Sequence, residues 1–142
     1  MATFIKFNSF LLGIARGVHQ LHSTGHDIKL YLSDSTPDSV LHMTKADIPE
    51  IAPGNGYDGP ISIGNAISES DGVVSFSGGQ AVTIMADGGD IGPFRYYVLY
   101  NDSVTTPVSD PLICAWDRGE SITLHDDQFV ELPLDGTLME IS

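Results

Sequence analysis

The chain has 142 residues, 42% of them hydrophobic, with a net charge of −13 and a single cysteine. That is one domain's worth of chain with material for a real core, and one Cys excludes an internal disulfide. No apolar run reaches the roughly 18 residues needed to span a bilayer, and a body this acidic repels phosphate, which sets nucleic acid aside as a partner.

The charge is unevenly placed. Residues 1–33 carry Lys6, Arg16 and Lys29 against Asp27, whereas residues 34–142 carry Lys45, Arg95 and Arg118 against the other eighteen of the nineteen Asp and Glu residues. Solubility is one explanation for the excess. The other is an acidic body that presents its basic N-terminal part to an acidic or mixed partner.

In chain order, the first feature is an aromatic repeat at Phe4, Phe7 and Phe10. An N-terminal segment this apolar is stable in water only when covered, by the chain's own sheet or by a neighbouring subunit. From Asn8 to about Leu21 the apolar residues Phe10, Leu11, Ile14, Ala15, Val18 and Leu21 recur at helical spacing, so one short helix is expected, within an arm and helix over residues 1–24. Gly13 and Gly17 weaken that helix and suit close packing on another backbone. The apolar patch Phe10–Ala15 is broken by Arg16 and has no small-residue cleavage site, so a protein retained in the cytoplasm is expected.

Ile28–Leu32 reads as a strand and Asp34–Asp38 as a turn. Residues 45–60 hold three prolines and three glycines, too many for a regular element; Ile48, Ile51 and Tyr57 are available to pin this long loop to the body. Strands are then expected near residues 60–67, 73–77, 80–86, 94–100, 111–116, 120–124, 128–134 and 137–141. Asp-Gly, Gly-Gly, Asn-Asp and Arg-Gly turn signals separate them. Short strands near ten residues apart, with no second helical pattern, indicate a mainly β domain of β-sandwich or jelly-roll type spanning 1–142.

The most informative segment is Gly88–Asn101, GGDIGPFRYYVLYN. Strand alternation puts Phe94, Tyr96, Val98 and Tyr100 on one face and Arg95, Tyr97 and Leu99 on the other. Both faces are apolar or aromatic, so both need a cover: the core is one candidate and a partner the other.

Catalytic and metal patterns are weak. His19, His22 and His26 have i, i+3, i+7 spacing, but Ser23-Thr24-Gly25 should end the helix before His26, and no Cys or Glu completes a zinc set. The carboxylates near Asp87, Asp90, Asp126 and Asp127 lack a calcium-loop pattern. There is no G-x-S-x-G, P-loop or dinucleotide fingerprint, and Gly54-Asn55-Gly56 reads as a turn. Cys114 lies in the apolar run PLICAW and reads as a buried structural thiol. No cofactor or metal is expected, and the chain reads as a non-enzyme.

With these segments in view, the chain resembles a family of short tailed-bacteriophage virion structural proteins along nearly its whole length. The resemblance rests on Lys6-Phe7-Asn8 with Phe10, Gly17-Val18-His19, Lys45-Ala46-Asp47-Ile48, Glu50-Ile51-Ala52 and Gly54-Asn55-Gly56-Tyr57. It continues through Ile91–Tyr96, Leu99–Asp102, Pro111-Leu112-Ile113, Asp117 and Ser121–Leu124, with IGPFRYYVLYND the most specific block, and departs over residues 58–75. The resemblance implies a virion location after assembly in the host cytoplasm. It further implies a cement or decoration protein on the capsid, with the major capsid protein as partner and a homo-oligomer, trimer or dimer, as the working form. A neck, tail or baseplate part is the alternative, and a carbohydrate- or host-binding module using Tyr57, Tyr96, Tyr97, Tyr100 or Trp116 a further one. Partner-contact candidates are Phe4, Phe7, Phe10, Tyr57, Phe94 and Arg95.

Overall fold

The computed structural model describes residues 3–132 and 134–142. The architecture is mainly β and sandwich-like, with one α-helix. In chain order the elements are β1 (Thr3–Lys6), α1 (Asn8–Ala15), β2 (Ile28–Ser33), β3 (Ile61–Ser62), β4 (Ala66–Ser70) and β5 (Val73–Gly79). There follow β6 (Val82–Met85), β7 (Ile91–Asn101), β8 (Leu112–Leu124), β9 (Phe129–Leu132) and β10 (Asp135–Ile141). A five-stranded antiparallel sheet has the order β1-β8-β7-β2-β3; β10-β5-β4 and β6-β9 form smaller antiparallel sheets. The main core lies between them. Leu30, Leu32, Phe94, Tyr97 and Leu99 from the large sheet meet Phe76, Ile84, Leu132 and Met139 from the small ones, with Phe10 of α1 closing one end.

The large sheet is buried on both faces. Its outer face carries Tyr31, Tyr96, Val98, Tyr100, Leu112 and Ala115, covered by Phe7 and Ile48. The cover is the chain's own long loop, drawn across the sheet as a strap. Tyr31 Oη donates to the Ile48 carbonyl at 2.8 Å, and Ser33 Oγ to the Pro49 carbonyl at 2.6 Å. Lys45 Nζ lies 4.9 Å from the Tyr31 ring centroid and 3.0 Å from Glu50 Oε1. The strap also finishes the sheet edge. β3 pairs only with Lys29 and Leu30; beyond it Leu32 N–H donates to Tyr57 Oη at 3.1 Å, and the Leu32 carbonyl accepts from Ile51 N–H at 3.0 Å. Backbone groups that would otherwise form an open strand edge are thereby satisfied.

Simple alternation misplaces one residue of β7. Phe94 packs in the main core with Tyr97 and Leu99, not on the outer face with Tyr96, Val98 and Tyr100. The ladder is irregular in both strands here: from Ile91 to Phe94, β7 advances three residues while β8 advances two, Leu124 to Ile122, and between the pairs Phe94–Ile122 and Tyr96–Asp117 β8 carries three extra residues. The extra residues include Gly119 at φ +99, whose N–H donates to Asp117 Oδ1 at 2.8 Å. Arg118-Gly119 is therefore a bulge inside one strand of 13 residues rather than a turn between two strands. Elsewhere the expected strand over 60–67 divides into β3 and the start of β4, and β1 was not anticipated.

The helix is shorter than its apolar spacing predicts, Asn8–Ala15 rather than Asn8 to about Leu21. Gly17 ends it at φ +74. Val18 N–H donates to the Gly13 carbonyl at 2.8 Å and Gly17 N–H to that of Ile14 at 3.1 Å, the paired bonds of a Schellman stop. Leu11 and Ala15, expected on the buried face, are exposed. Gly13 is the close-packing glycine, but it faces a side chain: an added Cβ would lie 3.0 Å from the His19 ring.

Tyr57→Phe removes the group that accepts from the Leu32 N–H and donates to Glu50, leaving both without their partner in a buried place. It is expected to destabilise the chain by about 1–3 kcal/mol, read as a lower midpoint in urea unfolding.

Candidate interface

The six contact candidates divide by burial. Phe7 and Phe10 are 0% exposed, Tyr57 1% and Phe94 0%. Phe7 lies under the strap and the other three lie in the main core. These four side chains are used in holding this chain together, so they do not present a surface to a partner. Phe4 does remain at the surface, 41% exposed, with its ring 5.7 Å from that of Trp116. Arg95 is half-buried and forms a bidentate pair with Asp117, Nε to Oδ1 at 2.7 Å and Nη2 to Oδ2 at 3.1 Å. That guanidinium holds the Asp117 carboxyl below its usual range. Tyr96, Tyr97 and Tyr100 are also buried, so none of them forms part of an exposed aromatic platform for sugar.

The exposed apolar surface lies elsewhere. Among the described residues, ten large hydrophobic side chains are exposed, and six belong to three neighbouring segments: Leu11 and Leu12 on α1, Val40, Leu41 and Met43 in the strap, and Val108 in the β7–β8 loop. The hydrogen bonds explain why these segments meet. Asn8 N–H donates to the Ser39 carbonyl, Leu112 N–H to that of Met43, and Lys45 N–H to that of Asp110. Leu12, Met43 and Val108 line a cleft of about 140 Å³, with Ser9 in its wall and Arg16 at its rim. The Ser9 hydroxyl is shielded from solvent without a hydrogen-bond partner. The sequence held one signal for this surface. Phe10 to Ile14 is an unbroken apolar run, and a single-faced helix cannot bury all of it.

Two buried amides hold the segment from α1 to β2 in place. Asn65 Oδ1 accepts from Ile28 N–H at 3.4 Å, and its Nδ2 donates to the Leu21 carbonyl at 2.8 Å. Asn101, at the end of β7 and 0% exposed, donates from Nδ2 to His19 Nδ1 at 3.1 Å and His26 Nδ1 at 2.9 Å. His26 Nδ1 also accepts from Gln20 N–H at 3.1 Å. A ring nitrogen that faces a donor accepts through its lone pair, so the His19 imidazole is held neutral, with the proton on Nε2. Burial, with His26 nearby, lowers the His19 pKa from 6.5 to about 4. The His19 ring also packs on Phe10, centroids 5.0 Å apart.

None of the three clustered histidines lies on α1, which ends at Ala15. Among the described residues no three His, Cys, Asp or Glu side chains converge as a metal-ligand set, and no helix is long and apolar enough to cross a membrane. Cys114 is buried, and its burial raises the thiol pKa. Comparison with protein-family models, curated proteins and solved structures finds no match to this chain.

Two outcomes follow from this placement. Phe7→Ala is expected to cost about 3–5 kcal/mol, because it opens a cavity under the strap, and Phe4→Ala, at a half-exposed edge, less than about 1 kcal/mol; chemical unfolding of both variants measures the contrast. His19 has a lower pKa folded than unfolded, so its contribution is complete above pH 6.5 and shrinks as pH falls towards about 4. The stability difference between wild type and His19→Gln, from urea midpoints at a series of pH values, is expected to narrow over that interval.

Proposed function

We propose that this chain is a structural part of a tailed-phage particle that binds the capsid shell and stabilises it, as a cement or decoration protein. One observation carries the reading beyond the sequence resemblance. On a chain with a net charge of −13, six of the ten exposed large apolar side chains among the described residues gather at the α1 end, and Arg16 lines the cleft that three of them border. Apolar patches beyond the scattered exposure of an ordinary surface belong to protein contacts. Leu41 at 73% exposure, Val40 at 68% and Leu12 at 52% stand in water unless a partner covers them.

A shell offers that partner in many symmetric copies. Modest contacts repeated over a lattice then add up to substantial stabilisation without any one of them being strong. The doubly covered sheet suits such a part, because it holds its surface loops on a rigid support.

The experiment that tests the reading is a count of this chain relative to the major capsid protein in purified particles. Hundreds of copies per particle are expected. About a dozen, a ring's worth, would move the chain to the neck or tail, and none would overturn the virion reading.

A further inference from the structure

The two ends of the long β7–β8 pair carry opposite surfaces. At the Asn101 end lies the cleft between α1 and the β7–β8 loop, bordered by Leu12, Met43 and Val108. The guanidinium of its lining residue Arg16 makes no ion pair or hydrogen bond among the described residues, and the lining holds no carboxylate. At the other end, where Ile91 pairs with Leu124, the turns 86–90 and 125–128 are tied together by Ala86 N–H to the Gln128 carbonyl and Asp127 N–H to the Ala86 carbonyl, each at 2.8 Å. From this end projects an apolar pair. Met85 and Phe129 are cross-strand partners on β6 and β9, 48% and 63% exposed. Four exposed aspartates surround the pair in sequence: Asp87, Asp90, Asp126 and Asp127. With 11 residues in β7, the two ends stand roughly 33 Å apart.

We infer that these ends bind each other between copies: the Met85–Phe129 knob of one chain enters the α1 cleft of the next, and its aspartates face Arg16. Size, charge and chemistry agree. A cleft of about 140 Å³ is below the roughly 300 Å³ of even a small ligand site, but close to the ~150 Å³ that accommodates one benzene ring. The Phe129 side chain is such a ring, and it stands 63% exposed. The carboxylates around the knob and the Arg16 guanidinium in a cleft lining without carboxylates are complementary.

Because knob and cleft are different surfaces, the contact is heterologous. It propagates head to tail and closes into a ring when the rotation between copies allows. Val40 and Leu41 are not among the residues lining the cleft and remain available to another partner. The inference does not depend on the shell reading.

Sedimentation velocity over a concentration series tests it, on wild type and on variants at exposed positions. Wild type is expected to self-associate. Phe129→Ala and Arg16→Glu should each weaken association at least about tenfold, a change of about 1.4 kcal/mol. The charge swap Arg16→Glu with Asp127→Arg should recover most of what Arg16→Glu alone loses. Circular dichroism of each variant confirms that the fold is intact. A wild type that stays monomeric, or variants that associate as wild type does, would overturn the inference and leave the shell reading standing. If Leu12→Asp abolished shell binding but not self-association, the cleft would belong to the shell protein instead, which also overturns it.

Discussion

Strand β7 cannot meet water on either side, and most of the molecule is arranged around that constraint. Tyr97 and Leu99 point into the main core, while Tyr96, Val98 and Tyr100 point outwards with Tyr31 and Leu112 beside them. Each large apolar side chain taken fully out of water contributes about 1.5–3 kcal/mol. An uncovered outer face would forfeit several such contributions at once. The chain supplies the second cover itself, laying residues 34–57 across the sheet and inserting Phe7 and Ile48 beneath them. A loop rich in proline and glycine suits this work because it can follow the sheet surface without needing a hydrogen-bonded neighbour on both sides. Tyr31 and Ser33 donate to its carbonyls, and its own Tyr57 accepts from the Leu32 N–H of β2.

The covered face has a consequence at the α1 end. The strap, the β7–β8 loop and α1 are brought side by side by backbone hydrogen bonds at Ser39, Met43 and Asp110. Their buried sides complete the two cores, and their outer sides leave Leu12, Met43 and Val108 in water. Asn101 and Asn65 fix the segment that follows α1 through His19, His26 and the Leu21 carbonyl. Buried amides of this kind are stabilising only when fully paired, and pairing imposes one geometry. The surface that remains exposed at this end is thus set by buried polar contacts a few residues away.

Charge completes the picture. Three of the six basic side chains, Lys29, Lys45 and Arg95, lie beside carboxylates of their own chain. Arg118 Nη1 donates to the Glu120 carbonyl. Lys6 and Arg16, on β1 and just past α1, have no such partner among the described residues. The unpaired Arg16 guanidinium thus lies in the cleft at the α1 end, while four exposed aspartates cluster at the opposite end of β7.

Period-two alternation, turn dipeptides and the lack of a second helical pattern were enough to place nearly every strand and the mainly β class, because those signals are local. The need to cover both faces of Gly88–Asn101 was legible for the same reason. Other features depended on residues distant in sequence. The aromatic residues read as contact candidates are equally good core residues, and only packing separates Phe7, Phe10, Tyr57 and Phe94 inside from Phe4 outside. The phase of β7 depended on irregularities in its ladder with β8, between Ile91 and Phe94 and again between Phe94 and Tyr96, which period-two alternation does not reveal. The helix stopped at a glycine whose positive φ took precedence over two more apolar residues of continuing pattern, Val18 and Leu21. Sequence alone determined which segments are extended and how much apolar surface they must hide; the tertiary structure decided which segment hides it, because burial is a property of pairs of surfaces and not of either one alone.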